Sequence, residues 1–221
     1  MLGEHMRNVD VSDILVKRCG KVCTSNDIRE IFGSGCFGRI SRMINSGWIL
    51  PLKVFKGTYY VLDSDEREKE IFKMDGFEIL AIVLNISLGK EWYFGKMTAL
   101  HLMGAVHQPV SISYVMNKKY RKSAKSEILG DLVFSKTSLP IGAGCGIEKW
   151  NYRGASYRVS TPERTMIDYI QSYLQGHVAR QELTRIRPLI SVDKCEAERI
   201  ISRCHRESSA KKIKSVMESI L

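Results

Sequence analysis

The chain has no long hydrophobic run. Its longest uninterrupted apolar stretch is Ile79 to Leu84, far short of the roughly 20 residues that a membrane span needs. It opens without the charged-then-apolar segment of a secretory signal, so a cytoplasmic protein with no membrane partner is expected. Paired C-x-x-C spacing is missing too. The six cysteines, at 19, 23, 36, 145, 195 and 204, are scattered in a way that fits reduced, mostly buried thiols better than a disulfide frame. Cys19 and Cys23 lack a second ligand pair, so the expectation is no metal and no cofactor. The glycine-rich "PIGAGCG", Pro140 to Gly146, lacks the lysine and hydroxyl of a phosphate loop and leads into a strand, so it reads as a plain loop.

What the chain does have is positive charge. The formal net charge is +10 over 221 residues, which favours an anionic partner such as nucleic acid and says nothing about fold. The excess is uneven: residues 90–160 hold eleven basic and four acidic residues, a surplus of +7, and residues 1–65 hold nine and seven, a surplus of +2. The densest run is "NKKYRKSAK", Asn117 to Lys125, which is either a solvated loop or a phosphate-contacting patch.

The first 65 residues follow helical and then strand-like patterning. Val11, Ile14, Leu15 and Cys19 recur at helical spacing and predict an amphipathic helix over about 9–19 that stops at Gly20. Thr24 stands three residues before Asp27, a capping-box start for a second helix ending at Gly33. "SGCFGRISRMINSGW" predicts a third helix with Phe37, Ile40, Met43 and Ile44 facing inward, Gly47 in a left-handed cap and Trp48 folded back on it. "WILPLKVFKGTYYVLD" then reads as a β-hairpin turning at Lys56-Gly57.

Three helices and a hairpin in this order are those of a winged helix-turn-helix, whose third helix enters the major groove of double-stranded DNA. Arg39, Ser41, Arg42 and Asn45 lie off the apolar stripe and are the candidate DNA-reading residues, and Lys53 and Lys56 on the hairpin are candidate phosphate contacts. Small winged helices also serve as protein-interaction modules, which remains an alternative.

Beyond residue 65, "EREKEIFKMDG" reads as a charged linker or helix start and "FEILAIVLNISLG" as a buried helix, together a connecting segment over 66–89. Trp92 to Phe94 reads as a short extended piece and Met97 to Ala105 as a short helix, with His101 packed rather than catalytic. "VSISYVM", "DLVFSK", "GIEKWNY" and "ASYRVS" predict strands of a small, mostly antiparallel sheet, the last two joined at Arg153-Gly154. In "YRVSTPERTMIDYI", Thr161 is the expected N-cap, Pro162 the first helical residue, and Met166, Ile167, Ile170 and Leu174 the buried stripe. Arg164 and Asp168, four apart, read as a surface or interdomain ion pair worth up to about 0.5 kcal/mol. Residues 177–221 read as three short helices with exposed lysines and arginines.

A metal-dependent nuclease or nucleotidyl-transfer enzyme is the enzymatic alternative, with Asp131 and Glu148 as metal ligands. Against it stands the adjacency of Glu148 and Lys149, which on a strand point to opposite faces and cannot share one site. No catalytic residue is therefore assigned.

Three stretches, "INSGWILPLKVFKGTYYVL", "YFGKMTALHLMGA" and "YRVSTPERTMIDYI", together resemble the AbiEi-type antitoxins, transcriptional regulators of type IV toxin-antitoxin systems. The resemblance covers about residues 11–62 and 91–173. It implies an α+β protein in which a winged helix-turn-helix over 1–65 binds operator DNA and represses its own operon. A mixed α+β domain over 66–221, with a small sheet and C-terminal helices, would neutralise a nucleotidyltransferase-like toxin without a stable complex. The charge distribution adds one expectation of its own: the second domain also touches DNA phosphates through Lys118, Lys119, Arg121, Lys122 and Lys125.

Overall fold

The structure, a computed structural model, describes residues 8–108, 110–152 and 155–220, without the side chains of residues 8–10 and 152. The turn expected at Arg153-Gly154 lies outside the described residues. The chain divides into two compact units, one running to Ser87 and taking in Ala124–Gly130, the other made of Leu88–Ser123 and Asp131 onward.

The first unit contains α1 (Asn8–Cys19), β1 (Val22–Thr24), α2 (Ser25–Phe32), α3 (Cys36–Asn45), β2 (Ile49–Pro51), β3 (Thr58–Val61), α4 (Ser64–Lys69) and most of α5 (Gly76–Leu88). The strands form an antiparallel sheet in the order β1-β3-β2, with Cys23 opposite Tyr59 and Leu50 opposite Tyr60. β1 was not expected, because three residues are too few to display a strand's alternation. The capping box at Thr24 is present: the Thr24 hydroxyl accepts from Asp27 N at 3.2 Å and the Asp27 carboxylate accepts from Thr24 N at 2.7 Å. α3 ends as expected. Gly47 is left-handed at φ 70°, Gly47 N donates to Ile44 O and Trp48 N to Met43 O, and Trp48 packs back on the core.

The expected inward set on α3 needs one correction. Cys36, Ile40 and Met43 are buried with Val11, Leu15, Ile28, Ile49 and Val61, whereas Phe37 is 56% exposed. Positions 36, 40 and 43 mark one stripe of a 3.6-residue helix, and Phe37 falls a full 100° step away from Cys36.

Below the small sheet lies a carboxylate node. Glu66, buried on α4, pairs with Lys21 and accepts from the Tyr60 hydroxyl at 2.6 Å and from Lys73 N at 2.7 Å. Asp63, the N-cap of α4, accepts from Lys21 at 2.6 Å and Lys73 at 2.8 Å. Lys21 is thereby tied to Tyr60 and Lys73, about forty to fifty residues on, through two carboxylates.

The second unit carries β4 (Trp92–Phe94), α6 (Lys96–Leu102), β5 (Ile112–Asn117), β6 (Lys122–Ser126), β7 (Gly130–Lys136), β8 (Ile147–Tyr152), β9 (Ala155–Ser160), α7 (Pro162–Leu174), α8 (Arg180–Ile186), α9 (Lys194–Cys204) and α10 (Glu207–Glu218). The end of β6, the connection after it and the first residue of β7 belong to the first unit. The six strands line up as β6-β7-β5-β4-β9-β8. The sheet is mixed, with two parallel pairs within it: β4–β5 and β8–β9 are antiparallel, while β5–β7 and β4–β9 are parallel. Periodicity within a strand cannot report its neighbour's direction, which is set by the crossovers between strands. The strand β6 occupies residues expected to be loop, because its lysines hide the alternation.

α6 to α10 share an apolar core that includes Leu100, Met166, Ile167, Ile170, Leu183, Ile200, Ile213 and Met217. Leu174, expected in the stripe of α7, is instead 42% exposed. The larger correction concerns Arg164 and Asp168, whose side chains are both 0% exposed. α7 is buried on almost every side over its first three turns, so a pair at that spacing has no solvent face to occupy. Gly146, at φ 72°, sits against this helix: a Cβ there would lie 2.7 Å from Arg164 Cβ and 2.8 Å from Ile200 Cδ1. Gly146→Ala is expected to cost more than about 1 kcal/mol in chemical denaturation, from backbone conformation and crowding together.

Candidate nucleic-acid interface

The polar face of α3 is the first part of the candidate interface. Ser41, Arg42 and Asn45 are exposed on it, on the side opposite the stripe that the core selects. Arg42 Nε donates to Gly38 O at 3.4 Å along the helix, and the residue is exposed. Arg39 behaves differently from its neighbour. It is half-buried, with its guanidinium carbon 4.8 Å from the centre of the Phe32 ring, so it braces α2 against α3 more than it projects. Exposed Phe37 has the Arg29 guanidinium over its ring at 5.4 Å.

The β2–β3 connection is longer than a two-residue turn. It spans residues 52–57, with Leu52 and Val54 buried and Lys53 and Lys56 exposed. Gly57 is left-handed at φ 73°, and its would-be Cβ would lie 2.6 Å from Ser25 Oγ, so the hairpin closes directly on the start of α2. Lys56 is open to solvent, whereas Lys53 is paired with Glu127 at 2.6 Å. Of the two hairpin lysines, Lys56 has the charge to offer a phosphate.

The five basic residues of the Asn117–Lys125 run do not form one patch. Asn117, fully buried, accepts from Lys119 N and Tyr120 N with its side-chain oxygen and folds the run into a turn. Lys118 donates to Ser138 O at 2.9 Å. Lys122 lies over the Tyr120 and Phe134 rings at 5.4 and 5.1 Å, and burial lowers its pKa. Lys119, Arg121 and Lys125 are exposed, but Lys125 falls in the segment that belongs to the first unit. Strand alternation separates residues that a charge count lumps together.

The structure holds apart Asp131 and Glu148, the two metal ligands of the enzymatic alternative. β7, carrying Asp131, and β8, carrying Glu148, are separated by β5, β4 and β9, a distance of about 19 Å at ordinary strand spacing. Glu148 accepts from Trp150 Nε1 at 3.0 Å. Among the described residues no group of three or more His, Cys, Asp or Glu is arranged to hold a metal ion, and no helix is long and apolar enough to cross a membrane.

Sequence reasoning missed the node around Arg164. Its Nε donates to Asp168 at 3.0 Å, one terminal nitrogen donates to Cys145 O at 2.8 Å and Pro140 O at 3.3 Å, and the other to the Tyr93 hydroxyl at 3.0 Å. Tyr93 in turn donates to Asp168 at 2.9 Å. The glycine-rich loop thus presents carbonyls to a buried guanidinium. Burial, reinforced by Asp168, raises the Tyr93 pKa and keeps the phenol protonated. The signal for this node was the i,i+4 pair together with the tyrosine 71 residues upstream, and nothing local joins them. Compared with protein-family models and with curated proteins, the chain matches none.

Proposed function

We propose that this protein is a DNA-binding transcriptional regulator whose first unit is a winged helix-turn-helix and whose role is that of an AbiEi-type antitoxin. The observation that supports this best is the α3 face of Ser41, Arg42 and Asn45, exposed on a helix whose opposite side is locked into the core. Such a face offers a forked guanidinium and an amide to base edges, and Lys56 on the adjoining hairpin offers a point charge to phosphate. The partner is operator double-stranded DNA. The antitoxin role, with autorepression and neutralisation of a nucleotidyltransferase-like toxin, is carried by the three stretches named above. In this reading the chain is not an enzyme.

A gel-shift titration with the DNA upstream of the reading frame tests the proposal. Arg42→Ala with Asn45→Ala is expected to cost about 2 kcal/mol or more in operator affinity and to relax base preference. Lys56→Ala is expected to weaken binding to all sequences alike and to lower the salt slope by about 1. If the wild type shifts no fragment at low salt, or if the α3 double variant binds as tightly as wild type, the DNA reading is lost. Co-expression with the adjacent reading frame tests the antitoxin role separately.

Exposed Phe37 favours a second reading, a protein-binding surface at the start of α3. Phe37→Ala would then abolish partner binding while leaving the gel shift unchanged.

A further inference from the structure

The second unit contains a basin of about 380 Å³ that the DNA reading does not use. Its volume lies within the range of small-molecule sites. Lys96 enters it from the start of α6, Arg121 from the residue just before the edge strand β6, Lys122 from the first position of that strand, Lys136 from the end of β7, and His177 from the segment after α7. Asp168 is the one carboxylate in the lining. Its two oxygens accept from Arg164 and Tyr93, so its charge is balanced chiefly by the Arg164 guanidinium. The remaining polar lining is serine, threonine and glutamine, which donates to an oxyanion without adding opposing charge.

Four cations from three separate stretches of chain therefore line one basin, against their mutual repulsion. Among the described residues Lys96, Arg121 and Lys136 form no ion pair. Lys96 is also held in a left-handed backbone conformation, φ 54°, which an L residue with a side chain adopts at a cost. That conformation starts α6 directly after Gly95, and the half-buried Lys96, a lining residue of the basin, has its ammonium 5.8 Å from the Tyr114 ring centre. Burial lowers the Lys96 pKa against the opposing pull of Asp168, and burial lowers that of Lys122. Partly desolvated ammonium groups bind an anion more strongly than fully hydrated ones.

We propose that this basin binds a small phosphate-bearing anion, held by the Lys96 and Lys122 ammonium groups and the forked Arg121 guanidinium. A phosphoryl or pyrophosphoryl group matches these donors in kind: its oxygens accept from point-charge ammonium groups and can accept two parallel bonds from arginine. The proposal does not rest on the DNA reading, and it takes Arg121 and Lys122 out of the set expected to touch the DNA backbone.

Isothermal titration calorimetry of the full chain with inorganic pyrophosphate is the test. Saturable binding near one equivalent is expected, with a rise in melting temperature. Lys96→Gln and Lys122→Gln should each weaken it about tenfold, a loss of about 1.4 kcal/mol. Lys212→Gln, an exposed lysine on α10, should leave it unchanged. No binding, or equal weakening by Lys212→Gln, overturns the proposal. A DNA duplex provides the second arm, since Lys96→Gln is expected to leave duplex affinity unaltered. If it lowers duplex affinity as much as pyrophosphate affinity, the basin is a stretch of backbone-contacting surface and the small-anion site is lost. Failure of the α3 variants to affect DNA binding would leave the pyrophosphate result untouched, so the two readings fail separately.

Discussion

Arg164→Ala is expected to destabilise the second unit by about 3–5 kcal/mol, the cost of stranding a buried charge. The guanidinium makes hydrogen bonds to Asp168, Tyr93, Cys145 O and Pro140 O. Removing it leaves the Asp168 carboxylate, itself only 2% exposed, with a single side-chain donor, Tyr93. It also removes the donor to the Cys145 and Pro140 carbonyls, so among the described residues the glycine-rich loop keeps only its Thr161 N to Gly146 O bond to the start of α7. Arg164→Lys is expected to recover little, because an ammonium cannot reproduce a fork that serves four acceptors. Replacing both partners, as Arg164→Met with Asp168→Leu, should recover part of the loss, since it is the unpaired charge more than the missing pair that is costly. Urea denaturation followed by circular dichroism measures all three. Arg185→Ala removes an exposed pair at similar spacing, to Glu182 at 3.4 Å, and should stay within about 1 kcal/mol of wild type. Equal effects at Arg164 and Arg185 would show that the buried node contributes nothing special.

The second large effect is expected at Glu66. Glu66→Ala should cost the first unit about 3 kcal/mol, because Lys21, the Tyr60 hydroxyl and Lys73 N all converge on that carboxylate. The node also predicts a pH dependence. Burial by itself pushes the Glu66 and Asp63 carboxyls up, but hydrogen bonds from Lys21 and, respectively, Tyr60 and Lys73 outweigh it and hold both below the ordinary carboxylate range. A carboxyl depressed in the folded state binds its proton more readily once unfolded. Its stabilisation is therefore complete at neutral pH and is lost as pH falls from about 4 through the folded values. Wild type should lose stability across that interval, and Glu66→Gln should start lower at pH 7 and fall less steeply. Parallel acid limbs for wild type and Glu66→Gln would remove Glu66 from the account.

Both effects rest on partners that no local pattern joins. Lys21 and Glu66 are 45 residues apart and Tyr93 and Arg164 are 71 apart. The amino-acid sequence alone did determine the local events. The capping box at Thr24, the left-handed stop at Gly47, the proline-led start of α7 behind Thr161 and the inward set Ile40 and Met43 are all present. Each of these depends on atoms within about one helical turn, where backbone geometry fixes which side chain reaches which amide.

Tertiary structure decided what lies next to what. It turned Arg164–Asp168 from a surface pair into a buried one by covering α7 with neighbouring helices and strands. It made the sheet mixed through its crossovers, and divided the basic run between a turn, an edge strand and a pocket wall. Spacing along the chain sets which residues share a face. Burial, charge environment and the meeting of Lys96 with Lys122 and Lys136 depend on packing between elements distant in sequence, and the interaction energy there scales with the water excluded, not with the spacing.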